Sequence, residues 1–508
     1  MMAKKFRIFS INLLVPISLG LLLLTDCVSD SKNTDSDEIV VHSRVNPQRP
    51  NIIYILADDA GYGDLSCYGQ TKFKTPNIDA LAKNGLRFTN HYSGSTVCAP
   101  SRSVLLTGLH TGHTPIRGNK SIGTEGQYPL PDSLTNLAEI LKTAGYVTGA
   151  FGKWGLGPPG SIGDPLNQGF DRFYGYNCQR FGHNYYPRHL WDDGDSIIIE
   201  ANQGNMTGAF APQLIHEQVL DFIEKNQDKP FFLFVPTIIP HAELVAPEAY
   251  MEEFRGKFGE EKPYIGVDEG ENFRQGPYQS QPEPRAAFAA MMTLLDQQVG
   301  EIVQKIEALG LSENTLIIFT SDNGPHLEGG ADPDYFDSNG PLRGYKRDLY
   351  EGGIRVPMIA YWPQTIQPGV TDHVCAFWDV LPTVADLIDQ PIPPIDGISF
   401  LPTLLGKDEQ LNHEYLYWEF HEKGGRQAVR KGHFKAVRYE VFKDPNSVPE
   451  LYDLSSDIGE QHNVAELHPM VLKEMDSLMR HARIPSKIFK FGEETYSLPI
   501  LNMEGRFN

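Results

Sequence analysis

Short runs of consecutive hydrophobic residues recur along the chain, each bounded by glycine, proline or acidic residues. Runs of four to eight apolar residues without polar alternation are typical of strands buried on both faces of a sheet. We therefore predict buried strands in five segments: 51–57, 146–151, 230–236, 315–320 and 356–362.

Longer segments between these runs carry apolar residues three or four positions apart, which is the period of an amphipathic helix. We predict helices over residues 75–85, 134–144 and 285–309. Strands that alternate with helices predict an α/β fold, with a large, mostly parallel mixed sheet flanked by helices. Ligands bind such sheets beyond the carboxyl ends of the strands.

The pattern changes after about residue 412. Segments 415–421, 427–429 and 434–439 have the length of short antiparallel strands, and a helical pattern follows over 469–481. We predict a larger domain over 49–411 and a smaller C-terminal α+β subdomain over 412–508. This subdomain should carry a short antiparallel sheet and pack against the larger domain.

The N-terminal residues have the pattern of a signal peptide. Lys4, Lys5 and Arg7 precede an apolar run over 8–25, and polar residues follow. A membrane anchor is the alternative, but the run is short for a span and is interrupted by proline and glycine. We assign residues 1–27 to a signal peptide and 28–48 to a polar spacer.

Cys27 closes the apolar run, where a bacterial lipoprotein carries its lipidated cysteine. Asp26 stands where a small residue is usual, so lipidation and simple cleavage both remain open. Either outcome predicts an exported protein of the bacterial cell envelope, periplasmic or anchored in the membrane as a lipoprotein.

The composition of the 508 residues is that of a globular protein, 40% hydrophobic and 21% charged. A net charge of −21 argues against a nucleic-acid partner, but a local cluster of cations can still bind a small anion. Four widely spaced cysteines remain in the mature chain, and they do not make a disulfide framework: Cys67, Cys98, Cys178 and Cys375.

Two pairs of oxygen-bearing residues directly follow predicted buried strands. Asp58 and Asp59 follow the first strand, and Asp322 and Asn323 follow the fourth. Adjacent acids at a strand end are often solvated loop residues, but two such pairs suggest a metal site. Oxygen ligands of this kind suit calcium or magnesium rather than zinc.

The segment C-A-P-S-R, residues 98–102, precedes L-T-G, residues 106–108. Pro100 suits the first turn of a helix that ends near Gly108, and this places Cys98 just ahead of a helix N-terminus. Backbone N–H groups there favour negative charge. The alternative is an unreactive buried cysteine.

This segment resembles the signature of the type I sulfatases of the alkaline phosphatase superfamily, and the resemblance extends from about Arg49 into the C-terminal region. It implies that a maturation enzyme converts Cys98 to formylglycine, whose hydrated aldehyde supplies the nucleophilic oxygen. It also implies one calcium ion with five ligands: Asp58, Asp59, Asp322, Asn323 and the modified Cys98.

The same resemblance assigns further roles. Arg102 matches the arginine that fixes the formylglycine hydrate. Lys153 in G-K-W-G-L-G and Lys346 in L-R-G-Y-K match lysines that bind sulfate. His241 matches the histidine near the ester oxygen, where an alkoxide leaving group requires a proton donor. The implied reaction is hydrolysis of a sulfate monoester, most simply of a carbohydrate.

One position departs from the family pattern. Many members have G-K-W-H-L-G, where the histidine helps the hydrate to expel sulfate, and this chain has Gly155 there. Either that role is dispensable, or another histidine takes it: His110, His113 or His183.

Residues 179–186 are dense in groups that bond or stack on a sugar. They resemble loops of bacterial sulfatases that act on galactose or N-acetylgalactosamine sulfates, and His183 is the candidate for an axial hydroxyl. Weaker candidates for the rim of the site are Arg180, Arg117, Glu328 and Arg347. The expected partner is a sulfated glycan or sugar.

Two alternatives stay open at this point. The chain is also compatible with a phosphate or phosphonate ester hydrolase of the same superfamily, because some of those enzymes use formylglycine. The other alternative is an inactive lipoprotein that binds sulfated glycans, with Gly155 as a first sign of lost activity.

Overall fold

The computed structural model describes residues 49–123 and 125–492. The predicted signal peptide and the spacer lie outside these residues. Within the described ranges, no helix has the length and apolar character needed to span a bilayer.

The described residues form sixteen strands. They are β1 Asn51–Ala57, β2 Leu86–Phe88, β3 His91–Tyr92, β4 Val147–Lys153, β5 Arg172–Tyr176, β6 His189–Asp192, β7 Asp195–Ile198, β8 Phe231–Pro236, β9 Thr315–Ser321, β10 Met358–Tyr361, β11 Gly369–Thr371, β12 Cys375–Ala376, β13 Leu416–Phe420, β14 Arg426–Lys431, β15 Phe434–Arg438 and β16 Glu450–Asp453.

The α-helices of the same ranges are α1 Pro76–Asn84, α2 Cys98–Thr107, α3 Leu137–Thr143, α4 Ala211–Lys225, α5 Glu248–Phe254, α6 Pro284–Ala308, α7 Pro333–Phe336, α8 Glu351–Ile354, α9 Val380–Leu387, α10 Leu401–Leu404 and α11 Pro469–His481. Short 3₁₀ helices cover Ser66–Tyr68, Pro165–Gln168, Phe181–His183, Glu200–Asn202, Ser312–Asn314 and Phe377–Asp379.

Ten strands form one large mixed sheet, in the order β11-β2-β10-β9-β1-β8-β4-β5-β6-β7. Its central block, β9-β1-β8-β4-β5, is entirely parallel, whereas β10 and β6 join it antiparallel on either side. The predicted α/β class with a large, mostly parallel sheet is confirmed. The fifth predicted strand is present but short, and it runs antiparallel as β10.

Strand β1 lies at the centre of the sheet, and its residues alternate between two cores. Ile52, Tyr54 and Leu56 face one core, which includes residues of α2, α3 and α9. Ile53 and Ile55 face the other, which includes residues of α1, α4 and α6. Because both faces are covered, the strand can be apolar along its whole length.

The structure corrects two predicted helix boundaries. Helix α3 begins at Leu137 rather than at 134, because the Asn136 side chain accepts from two first-turn N–H groups and the Glu139 carboxylate accepts from the Asn136 N–H. Cys98 is the first residue of α2 rather than the residue ahead of it, with Val97 as an extended N-cap. Gly108 ends α2 in the left-handed conformation at a φ of 69°.

The predicted C-terminal antiparallel sheet is present as β13-β14-β15-β16. One face packs Tyr417 and Val429 against Met475 and Met479 of α11. The opposite face places Trp418 in the core of the large sheet, where its Nε1–H donates to the Ser93 carbonyl at 3.0 Å. The small sheet is therefore packed between α11 and the larger domain.

A buried ion cluster joins β15 to the larger domain. Lys435, with no exposed surface, lies 2.9 Å from a Glu351 oxygen and 3.0 Å from a Glu460 oxygen. Burial alone raises the pKa of Glu351, but Lys435 and Arg355 lower it to about 2. Burial raises the pKa of Glu460 to about 7, because the lowering effect of Lys435 is opposed by the negative charge of Glu351.

We expect Lys435→Met to lower the free energy of unfolding by about 3–5 kcal/mol, since it leaves the buried Glu460 without its cation and Glu351 with Arg355 as its remaining ion-pair partner. Lys431→Met is the matched control on the neighbouring strand, because Lys431 pairs with the exposed acids Glu414 and Glu474 and should change stability little. Urea unfolding followed by tryptophan fluorescence measures both variants. Equal effects of the two substitutions would contradict the importance of this cluster.

Candidate active site

Four adjacent parallel strands end at one edge of the large sheet, and each places polar side chains there. The residues at or just after these ends are Asp58 and Asp59 of β1, Asp322 and Asn323 of β9, Lys153 of β4 and His241 beyond β8. All of them are buried. The predicted convergence at the carboxyl ends of the strands is therefore present in the structure.

Cys98 enters this cluster from the N-terminus of α2. Its Sγ–H donates to Asp58 Oδ1 at 3.3 Å, and its Sγ accepts from Lys153 Nζ at 3.5 Å. Burial first, and the Asp58 charge second, raise the pKa of the Cys98 thiol well above its ordinary value. An unmodified thiol at this position is therefore protonated at neutral pH and is a weak nucleophile.

Arg102 lies one helical turn after Cys98, and all three of its guanidinium nitrogens donate hydrogen bonds. Its Nε and Nη2 donate to Asp322 Oδ2 at 3.2 and 2.9 Å, and its Nη1 donates to the Lys153 carbonyl. Burial alone would lower the pKa of Arg102, but Asp322 and Asp58 raise it. The guanidinium is thus a fixed positive charge beside Cys98.

Hydrogen bonds link Asp59 to both Asp322 and Asn323. The Asp59 N–H donates to Asp322 Oδ1 at 3.1 Å, and Asn323 Nδ2 donates to Asp59 Oδ1 at 2.7 Å. Burial raises the pKa of Asp58, but Lys153, which is paired with this carboxylate, and Arg102 lower it to about 2. Burial and the negative charge of Asp58 raise the pKa of Asp322 to about 7.

The donor set fits a hard divalent cation. Ligand atoms of Asp58, Asp59, Cys98 and His241 lie within 4.8 Å of one another. Asn323 Oδ1 is buried and makes no hydrogen bond to any residue that the structure describes, although buried amide oxygens are normally bonded. Of these groups, the carboxylate and amide oxygens are the ligand types that suit calcium or magnesium.

Lys346 and His241 form a second pair on the opposite side of Asp59. Lys346 Nζ donates to Asp59 Oδ2 at 2.7 Å and lies 2.9 Å from His241 Nε2. His241 Nδ1 contacts the Ala242 carbonyl, which can only accept, so we assign the ring proton to Nδ1 and the acceptor role to Nε2.

The pKa values of Lys346 and His241 are shifted in opposite directions. Burial first, and Lys346 second, lower the pKa of His241 well below its ordinary value. Burial opposes the charge of Lys346, but Asp59 and Glu328 raise its pKa well above the ordinary value. The pair is therefore a neutral imidazole beside an ammonium group.

His183 covers the outer side of His241. The two rings stack with centroids 4.8 Å apart and an interplanar angle of 8°. His183 Nδ1 donates to the Gly276 carbonyl at 3.0 Å, which leaves Nε2 as an acceptor. Burial and the charge of Lys153 lower the pKa of His183 to about 4, so the ring is neutral at neutral pH.

The remaining rim candidates have different positions. Glu328 is half-buried, lies 3.5 Å from Lys346 Nζ and pairs with Arg347, so both residues border the cluster. Arg180 is exposed at the start of the turn that carries His183, and its Nε donates to the Gln275 carbonyl at 2.5 Å.

The structure does not bring Arg117 to the rim. Its side chain is only 2% exposed, and its Nη1 donates to Glu419 at 3.0 Å and to the Ile484 carbonyl at 2.9 Å. The reason is electrostatic, because the buried Glu419 carboxylate requires a cation. The neighbouring Asn119 is nearer the site, since its Oδ1 accepts from the Ala99 N–H of α2 at 3.0 Å.

The position of Gly155 has a neighbour that the sequence did not reveal. Gly155 has a φ of 77°, and a Cβ there would lie 1.8 Å from Nε2 of Gln179. His110 and His113 instead pair with Asp396, at 3.7 and 2.8 Å. The sequence signal that could have indicated Gln179 was the glycine at 155 in place of the family's histidine. A missing side chain implies that another residue fills the space.

The chain matches known sulfatases over most of its length. The family model for sulfatases matches residues 50–390, and the model for the C-terminal region of N-sulphoglucosamine sulphohydrolase matches residues 344–483. An N-acetylgalactosamine-6-O-sulfatase of Bacteroides thetaiotaomicron is 30% identical over 93% of this chain and 99% of its own length.

Human arylsulfatase A is 34% identical over 84% of this chain and 87% of its own length. Among solved structures, Ps i-CgsB in complex with k-i-k-neocarrahexaose superposes with a TM-score of 0.71 at 26% identity, covering 90% of this chain and 96% of that one. The chain therefore belongs to the type I sulfatase family of the alkaline phosphatase superfamily, and it is a sulfuric ester hydrolase.

Proposed function

We propose that this protein is an exported sulfatase that removes sulfate from a galactose or N-acetylgalactosamine unit of a glycan, using formylglycine at position 98 and one calcium ion. The observation that carries this proposal is the set of three buried cations, Arg102, Lys153 and Lys346, within the cluster that contains Cys98. Three buried cations close together suit a small anionic group with several hydrogen-bond acceptor oxygens, such as sulfate.

Two groups supply chemistry that the twenty amino acids do not. Calcium, held by Asp58, Asp59, Asp322 and Asn323, would bind a sulfate oxygen and neutralise its charge. Formylglycine at position 98 would supply an aldehyde hydrate whose hydroxyl acts as the nucleophile. The unpaired Asn323 Oδ1 and the contact of Cys98 with Asp58 support this placement.

The chain's own cations would stabilise the charge that develops on sulfate. In this structure the ammonium groups of Lys153 and Lys346 pair with Asp58 and Asp59. When those carboxylates bind a cation, they neutralise the ammonium groups less, and the lysines can interact with the substrate. Their positions are set before the substrate arrives, so little reorganisation is required during reaction.

The leaving alkoxide needs a proton, and the contact between Lys346 and His241 suggests its source. Since His241 Nε2 accepts from Lys346 Nζ at 2.9 Å, the two groups can share one proton. Lys346 has the higher proton affinity of the two. We assign proton delivery to the pair rather than to His241 alone.

The substrate class rests on the rim. His183 Nε2 is an acceptor above His241, suited to a sugar hydroxyl next to the sulfated carbon. The relative from Bacteroides thetaiotaomicron is an N-acetylgalactosamine-6-O-sulfatase. Both relatives described above are sulfatases. This favours sulfate ester hydrolysis over the two alternatives from the sequence analysis, a phosphate or phosphonate ester hydrolase and an inactive glycan-binding lipoprotein.

Export is supported by the basic start, the apolar run and the polar spacer of residues 1–48. Anchoring by a lipid at Cys27 is part of this proposal only as an alternative to cleavage nearby. Metabolic labelling with a palmitate analogue separates the two, since only the lipoprotein would carry the label and lose it in Cys27→Ser.

The first test is sulfate release by enzyme co-expressed with a maturation enzyme, with conversion of Cys98 verified by mass spectrometry. We expect release from a 6-sulfated galactose or N-acetylgalactosamine, and a loss of at least about 1,000-fold in Cys98→Ala, because the nucleophile is removed. Cys67→Ala, at a thiol outside the cluster, is the matched control and should retain activity. Faster release of phosphate than of sulfate by converted enzyme would overturn the proposal.

The second test concerns the metal. Calcium added to chelated protein should raise the melting temperature, because it binds the folded state alone, and should restore activity. The rise in melting temperature should be much smaller in Asn323→Ala, which lacks the unpaired amide oxygen, and unchanged in the control Asn167→Ala, at an exposed asparagine. A larger rise with magnesium than with calcium would contradict the calcium assignment.

The third test concerns the sugar. His183→Phe keeps a ring to stack on His241 but removes both ring nitrogens, the Nε2 acceptor and the Nδ1 donor to the Gly276 carbonyl. The loss of the substrate bond at Nε2 should lower kcat/KM for the sugar sulfate about tenfold, the value of one hydrogen bond. An aryl sulfate offers no such hydroxyl, so its kcat/KM should be nearly unchanged. Equal losses with both substrates would assign His183 to the sulfate group instead.

A further inference from the structure

The side chain of Gln179 is buried without a hydrogen bond to the described part of the chain. It is only 6% exposed, and both Nε2 and Oε1 are without a partner among the described residues. Buried amides in folded proteins are nearly always bonded, so such a group requires an explanation. A ligand that bonds the amide when it binds is the simplest one.

Another buried glutamine of this chain shows the ordinary arrangement. Gln168 Nε2 donates to the carbonyls of Leu130 and Ile162 at 3.2 and 2.8 Å, and its Oε1 accepts from Asn136 Nδ2 at 3.0 Å. The fold can therefore satisfy a buried amide completely, and it leaves the amide of Gln179 unsatisfied.

The Gln179 amide lies beside the cluster described above. It occupies the space over Gly155, where a Cβ would be 1.8 Å from Nε2. Gly155 follows Lys153 by two residues, and Lys153 Nζ is 3.5 Å from Cys98 Sγ. The two residues after β4 thus lead from the sulfate-binding Lys153 to Gly155, which lies beneath the Gln179 amide.

The turn that begins at Gln179 continues over the same site. A Cβ at Gly182 would lie 2.8 Å from Lys153 Cδ, so the turn packs on the lysine side chain. Its last residue, His183, stacks on His241. One turn therefore covers the site from Lys153 to His241, with the unpaired amide at one end.

A second unpaired amide oxygen lies close to the first along the chain. Asn177 Oδ1 is buried and has no hydrogen-bond partner within residues 49–123 and 125–492, and the Asn177 carbonyl accepts from the Gly155 N–H at 2.9 Å. The Asn177 side chain is directed toward Asp164, because its Nδ2 donates to Asp164 Oδ2 at 3.4 Å. Of the two amides, only that of Gln179 is placed over Gly155.

We propose that Gln179 is a substrate-binding residue of the sulfate pocket, with Nε2 donating to a sulfate oxygen and Oε1 accepting from a neighbouring hydroxyl of the substrate. This inference rests on the proposed function. A neutral amide adds a donor to the pocket without adding a fourth cation beside Arg102, Lys153 and Lys346. It also adds an acceptor, which those three side chains do not have.

The proposal has a consequence for stability. An amide that is unsatisfied in the free protein destabilises it, so replacement by an apolar side chain of similar length should raise the melting temperature. A glutamine with a purely structural role behaves in the opposite way, because its replacement removes hydrogen bonds.

The experiment compares Gln179→Met with Gln168→Met in the Cys98→Ala background, which prevents turnover, with calcium present. The probe is inorganic sulfate, and its affinity is measured by isothermal titration calorimetry. We expect Gln179→Met to weaken sulfate binding about tenfold, the value of one hydrogen bond to an anion, and to melt at a higher temperature than its parent. Gln168→Met should melt at a lower temperature and bind sulfate as the parent does.

Gln179→Glu provides a second variant if Gln179→Met does not fold. It places a carboxylate beside the anion, so it should weaken sulfate binding more than the methionine does. Unchanged sulfate affinity in either Gln179 variant would overturn the inference and leave the proposed function in place. Absence of sulfate binding by the parent itself would overturn the proposed function, and this inference with it.

Discussion

The structure depends on a balance of buried charge at the carboxyl edge of the large sheet. Three carboxylates, Asp58, Asp59 and Asp322, are enclosed with three cations, Arg102, Lys153 and Lys346. None of these groups can be buried alone at an acceptable cost in free energy, so each fixes the position of the others. Because the carboxylates follow β1 and β9 and one lysine ends β4, the balance requires the carboxyl ends of these strands to lie close together.

The same balance explains how a protein with a net charge of −21 can bind an anion. The distant field of the protein is screened by salt, whereas direct contacts inside a buried pocket are screened much less. In this structure each ammonium group faces a carboxylate, and the pocket as a whole is close to neutral. A bound cation would shift that balance toward positive charge and make the pocket selective for a dianion or monoanion of sulfate size.

The parts of this fold that the sequence predicts well are those with a local cause. The β1 segment is apolar over seven residues because both faces are covered, and the C-A-P-S-R segment carries its helix start and its chemistry together. The parts that it predicts poorly depend on contacts distant along the chain. Arg117 looked like a rim residue until Glu419, about three hundred positions later, proved to be its partner. Antiparallel strands such as β6 and β7 were missed because their residues are partly exposed and are not consecutively apolar.

The pair Gly155 and Gln179 shows why a motif read in one dimension can mislead. Within the G-K-W-G-L-G segment, glycine at 155 reads as a missing functional group. In three dimensions the space is filled by an amide that comes from the turn after β5, and the left-handed φ of 77° disfavours any larger residue at 155. The two positions are therefore one structural unit, since a side chain at 155 would collide with the amide at 179. A departure from a family motif is evidence of lost function only after the neighbours of that position in space have been identified.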